Sequence, residues 1–108
     1  MDDFVLCQGD TIKLNYVIPM DLALKTVYFV FGKNLGSFSK KIKCTSQSVT
    51  SQNYKRMAEG GISIPFTSTD LENHGSFFAQ FLILDSRGNQ ITYPQVGYLS
   101  VKIQQSVF

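Results

Sequence analysis

Between Ser76 and Asp85 the chain reads SFFAQFLILD, an apolar run in which Phe77, Phe78, Phe81, Leu82, Ile83 and Leu84 are broken only by Ala79 and Gln80. The run is too short to cross a bilayer as a helix, and its aromatic and branched residues predict a buried strand. A second two-sided stretch spans Thr26 to Gly32, where Val27, Phe29 and Phe31 alternate with Tyr28 and Val30. Elsewhere the alternation is one-sided. Thr11 to Ile18 sets Ile12, Leu14, Tyr16 and Ile18 against Thr11, Lys13, Asn15 and Val17, which predicts a half-exposed strand. Leu99, Val101 and Ile103 alternate with Ser100, Lys102 and Gln104, and Ile62, Ile64 and Phe66 alternate with Ser63 and Pro65. Asp3 to Cys7 reads as a short first strand. Ser37 to Cys44 reads as a polar strand whose Lys40, Lys41 and Lys43 suit an edge, where charge discourages pairing with another chain.

The breaks between these runs carry turn chemistry. Gln8-Gly9-Asp10, Pro19 to Leu22 and Lys33 to Gly36 interrupt the alternation. Asp85-Ser-Arg-Gly88-Asn89 predicts a hairpin in which Gly88 takes a positive φ. Ile91 and Tyr93 form the return strand, which Pro94 stops by removing a ladder donor. Thr69 to Glu72 opens a helical turn. Thr45 to Gly61 is rich in Ser, Thr, Gln and Asn and reads as a loop or short helix, with a helical turn at Tyr54 to Glu59 ended by Gly60-Gly61. Seven or eight short strands at intervals of about ten residues predict an all-β fold, two antiparallel sheets packed as a sandwich in a single domain over residues 1–108.

Composition narrows the function more than the fold. With 108 residues, 44% of them hydrophobic, the chain can bury a core without room for a second folding unit. A formal net charge of +2 calls for neither nucleic acid nor an acidic membrane surface. The start MDDFVLCQGD is acidic where a secretory signal is basic, and its apolar run is too short for one. Cys7 and Cys44 lack CxxC spacing and are expected to be free thiols on separate strands.

The catalytic inventory is thin. His74 is the only histidine and sits in a polar turn without a serine or cysteine motif. Asp70, Glu72 and Asp85 have the chemistry of a glycosidase pair but the spacing of ordinary loop carboxylates. No phosphate-binding, dinucleotide or calcium-loop pattern occurs, so no cofactor and no metal are expected and the chain reads as non-enzymatic. Lys40, Lys41 and Lys43 with Phe38, and Lys55-Arg56 further on, would make a basic strip with an aromatic for base stacking, as on a small oligonucleotide-binding barrel. A lysine-guarded edge strand accounts for the same residues, and a +2 chain lacks the excess charge that phosphate neutralisation draws on.

One set of features points further. Gly9-Asp10-Thr11 before the first alternating strand, Asp21-Leu22 before the aromatic one, GGISIPF from Gly60, GSFFAQF from Gly75, Asp85-Ser-Arg-Gly88, Tyr93-Pro94, Gly97-Tyr98 and Val101 to Ile103 follow one another in a specific order. That order resembles the N-terminal immunoglobulin-like domain of the baseplate upper protein of tailed phages infecting Gram-positive bacteria. Ala23 and Leu24 depart from it, since the family tends to place a small residue and glycine there, and the middle segment is longer and more polar. Family members continue into a helical or receptor-binding region that residues 1–108 do not include. The resemblance implies an immunoglobulin-like sandwich acting as a virion part, assembled in the host cytoplasm, oligomeric in the particle and bound to other tail or baseplate proteins. A capsid or neck component with the same fold, and the oligonucleotide-binding protein, are the alternatives.

The two-sided strands supply a candidate surface. If Val27, Phe29, Phe31, Phe77, Phe81 and Ile83 fill the core, then Tyr28, Val30, Phe78, Leu82 and Leu84 are left on the other face. Either the Thr45 to Gly61 segment covers them or a partner protein does.

Overall fold

A computed structural model describes residues 2–34 and 37–106. Eight strands build it: β1 (Phe4–Cys7), β2 (Ile12–Val17), β3 (Thr26–Gly32), β4 (Lys40–Lys43), β5 (Gly61–Phe66), β6 (Gly75–Leu84), β7 (Gln90–Tyr93) and β8 (Leu99–Gln104). The fold is all-β, and among the described residues the only helix is a 3₁₀ turn at Met57–Glu59. That turn lies inside the segment expected to be helical over Tyr54 to Glu59, and Gly60 ends it at φ +89°. The segment around Lys33 to Gly36 falls partly outside the described residues.

The strands form two sheets. The larger runs β1-β8-β6-β3-β4, and β7 pairs with β6 beside β8; the smaller is the antiparallel pair β2-β5. β6 is long enough to carry two partners along one edge, because β8 pairs with Gly75 to Ala79 and β7 with Phe81 to Leu84. Residues 94–98 bulge out between them. Gln80, facing this gap in the ladder, donates its side-chain amide to the Gly97 carbonyl at 3.3 Å. β1 runs parallel to β8, and Asp3 fastens its start by accepting from the Ser100 backbone N–H at 2.8 Å.

Alternation decides which face of each strand is buried. On β6, Phe77, Ala79, Phe81 and Ile83 are buried while Phe78, Gln80, Leu82 and Leu84 are half-buried. On β3, Val27, Phe29 and Phe31 point inward, and Phe29 lies directly opposite Phe81. The sheets meet through these rings. Phe29 contacts Phe66 of β5 edge-on at 5.6 Å, and Tyr16 of β2 stacks on Phe81 at 5.2 Å. Loops close the ends of this core with Leu22 and Leu71, both fully buried. The backbone N–H of Leu22 donates to the Met57 carbonyl at 2.8 Å. Leu71 sits in a turn that Asp70 holds by accepting from the backbone and hydroxyl of Thr67, each at 2.9 Å.

β4 lies at the edge of the large sheet, and its lysines divide between two faces. Lys41 and Lys43 stand with Val30 and Tyr28 on the outside, whereas Lys40 turns back to Glu72 at 3.0 Å. The hairpin after β6 has the expected Gly88, at φ +84°. Asp85 organises that turn. One of its carboxylate oxygens accepts from the backbone N–H groups of Arg87 and Asn89, and the other from the Asn89 side chain. These bonds, with that from the Asn89 backbone foremost, hold the carboxyl below its usual range.

Candidate functional site: the outer face of the large sheet

The register places Tyr28 directly opposite Leu82, with Lys43 on its other side and Thr92 beyond Leu82. Leu84, two residues along the same face, is flanked by Thr26 and Gln90. Tyr28, Leu82 and Leu84 are all half-buried and form one apolar strip. Val30 lies on the same face between Lys41 and Gln80 in register and is only 4% exposed, so it is covered and presents little surface. Phe78 sits apart, beyond Gln80. Its ring meets Tyr98 edge-on at 4.5 Å, a distance at which a perpendicular aromatic pair gains from quadrupole complementarity.

Of the five residues singled out from the pattern, three therefore gather into one patch, one is buried beneath its neighbours and one belongs to a second patch. Tyr98 was not legible as its partner, because it stands in the bulged segment where strand alternation is broken. The rim of the first patch is basic. Lys43 pairs with Tyr28 across the ladder, and the Lys41 ammonium sits 4.3 Å from the centre of the Tyr28 ring.

The Thr45 to Gly61 segment makes its hydrogen bonds to the opposite side of the molecule. Thr45 exchanges backbone bonds with Ser63 of β5, Gln47 donates to the carbonyls of Tyr16 and Ile62, and Met57 accepts from Leu22. These bonds anchor the segment to the small sheet and to the loop that follows β2, and none of them is made to Tyr28, Leu82 or Leu84.

The remaining candidates are dispersed. His74 is exposed, Asp70 and Asp85 are engaged by their own turns, and Glu72 is paired with Lys40. Among the described residues no group of three His, Cys, Asp or Glu side chains converges as metal ligands would. Nor is the basic strip assembled. Lys40 is ion-paired, and Lys55 and Arg56 lie on the segment bound to the small sheet, with Arg56 holding Glu59 at 3.1 Å. That arginine is the main reason the Glu59 carboxyl sits below its usual range. No described helix is long and apolar enough to cross a membrane.

The two thiols differ sharply. Cys7 is exposed and Cys44 is buried, where desolvation pushes the thiol up to about 12 from an ordinary 9.0. The folded state thus keeps a proton that the unfolded chain releases above pH 9. Stability from this group is fully present below pH 9 and declines as pH rises toward 12. At pH 8 the native protein is expected to give one rapidly titrated thiol and a second only after denaturation. Two fast thiols would show that Cys44 is not enclosed.

Comparison with family models, curated proteins and solved structures found no match to this chain.

Proposed function

We propose that the protein is a non-enzymatic assembly module, an immunoglobulin-like sandwich that docks another virion protein in the tail or baseplate of a phage. The observation that carries the docking role is the strip of Tyr28, Leu82 and Leu84, left half-exposed on the outer face while the polar middle segment binds the other sheet. The connectivity supports the immunoglobulin-like reading. The first, third, fourth, sixth, seventh and last strands share one sheet while the second and fifth pair opposite it, as in a Greek-key sandwich. The phage setting rests on the resemblance in the order of motifs. Lys41 and Lys43 beside Tyr28 define the partner further, as an apolar centre with an acidic rim.

Leu82→Asp and Leu84→Asp test this. Both side chains lie on the half-buried face, so each variant is expected to remain folded by circular dichroism and thermal melt. Incorporation into particles or oligomers, read by sedimentation, is expected to be lost, because a carboxylate in the centre of an apolar contact is desolvated without a partner. Unfolding of both variants would make these leucines core. Intact assembly with both would remove the strip from any interface.

A further inference from the structure

The small sheet carries a different feature on its own outer face. Leu14, Tyr16, Ile62 and Ile64 of β2 and β5 pack against the core, and strand alternation therefore turns Lys13, Asn15 and Ser63 the other way. Asn15 lies directly opposite Ser63 and Lys13 opposite Pro65. Over them folds the stretch from Thr45 to Ser51, and between the two lies a cavity of about 350 Å³ lined by these strand residues and by the serines of the loop.

The walls are fixed. Thr45 and Ser63 exchange two backbone hydrogen bonds, at 2.9 and 2.7 Å. Gln47 is buried and fully engaged, since its amide nitrogen donates to the carbonyls of Tyr16 and Ile62, each at 3.2 Å, and its oxygen accepts from the Lys55 backbone N–H at 2.9 Å. The loop beyond it is closed by the hydroxyl pair Ser48 and Thr50 at 2.9 Å and by a turn from the Ser51 N–H to the Ser48 carbonyl. A polar stretch that reads as an ordinary loop is thus clamped onto two strands by one buried carboxamide.

Within these walls the donors are free. The side chains of Lys13, Asn15, Ser46, Ser51 and Ser63 take part in no hydrogen bond or ion pair among the described residues. Ser63 is the telling member. It is 4% exposed, yet no sealed side-chain polar atom among the described residues lacks a partner, so its hydroxyl is reached through the cavity it lines. The chemistry of the lining is one-sided: one cation, hydroxyls and carboxamides, with no carboxylate and no aromatic ring. A bound cation would find no counter-charge there. A neutral sugar would find neither a ring to stack on nor a carboxylate to accept from its hydroxyls. An oxyanion would find an ammonium and several hydroxyl and amide donors uncommitted elsewhere.

We infer that this cavity binds the oxyanion of a small polar molecule, a phosphate or a carboxylate group, with Lys13 supplying the charge and Asn15, Ser46, Ser51 and Ser63 the hydrogen bonds. The site is separate from the apolar strip, which lies on the other sheet, and stands or falls apart from the docking role.

The test is a titration followed by amide chemical shifts on ¹⁵N-labelled protein, with inorganic phosphate, acetate and glucose at constant ionic strength. Phosphate or acetate is expected to shift the amides of Asn15, Thr45 to Ser51 and Ser63 saturably. A preference for phosphate would mark a phosphate ester as the source and a preference for acetate a carboxylate, either of which supports the site. Glucose is expected to leave these amides in place. Lys13→Met is expected to weaken the anion about tenfold by removing a charge-assisted hydrogen bond, with spectral dispersion retained because Lys13 is exposed. Ser63→Ala is expected to weaken it as well. No saturable shift with either anion, shifts centred on Lys41 and Lys43 instead, equal response to glucose, or unchanged affinity in Lys13→Met would each overturn the assignment.

Discussion

Gly60→Ala is expected to abolish stable folding, whereas Gly88→Ala is expected to cost only about 1 kcal/mol, the ordinary penalty of a left-handed residue with a Cβ. The two glycines have nearly the same backbone, at φ +89° and +84°, so conformational strain is common to both. Their surroundings are not. A Cβ at Gly88 would have no atom within 4 Å, while at Gly60 it would lie 3.0 Å from the Met20 carbonyl oxygen and closer still to that of Ile18. Those oxygens are backbone and cannot rotate away. Gly60 also accepts from the Ile18 N–H at 2.9 Å and donates to the Met57 carbonyl at 2.9 Å, so moving it would break the junction between the 3₁₀ turn, β5 and the end of β2. Relief of the overlap would therefore sacrifice several kcal/mol, a large share of the roughly 5 to 15 kcal/mol that holds a domain of this kind together. Urea denaturation of the two variants measures the contrast. Equal midpoints would mean that the chain does not approach Gly60 as closely as the structure has it.

What the sequence displayed was the part of the fold that is local. Alternation marked the inward set Val27, Phe29, Phe31, Phe77, Phe81 and Ile83, and all six are buried. It could not say that β3 lies beside β6, or that the four residues of β1 run parallel to β8, because pairing partners far apart in the chain leave no periodic trace in either strand. The candidate surface was legible to the same depth. Alternation found which residues face outward, but not that Val30 would be enclosed between Lys41 and Gln80, since that depends on two neighbouring strands in register. The cavity was invisible for a related reason. Thr45 to Gly61 has the composition of a connector, and its shape is set by Gln47 reaching Tyr16 and Ile62 across gaps of 31 and 15 residues. Likewise Lys40 reads as one of three edge lysines, and only the fold brings Glu72 to it.

Among core substitutions, Phe29→Ala is expected to have a large effect, a loss of about 3 to 5 kcal/mol that would leave the domain marginal. Phe29 is fully buried on β3, and its ring touches Phe4 of β1 at 5.4 Å, Phe66 of β5 at 5.6 Å and Phe81 of β6 at 5.1 Å. Those partners belong to both sheets. Truncation therefore removes apolar burial at the point where the sheets are joined, and leaves a cavity that Phe31, 5.7 Å away and itself packed against Phe77, is poorly placed to fill. Phe78→Ala is the control. Phe78 stands on the outer face, half-buried, with Tyr98 as its one ring contact among the described residues, so its loss is expected to cost on the order of 1 kcal/mol. Equilibrium urea curves at matched m-values separate the two cases. A cost at Phe29 no greater than at Phe78 would mean that the sheets are not held together through this ring. A cost at Phe78 as large as at Phe29 would mean that the Phe78 and Tyr98 rings belong to the folded core rather than to an outer patch.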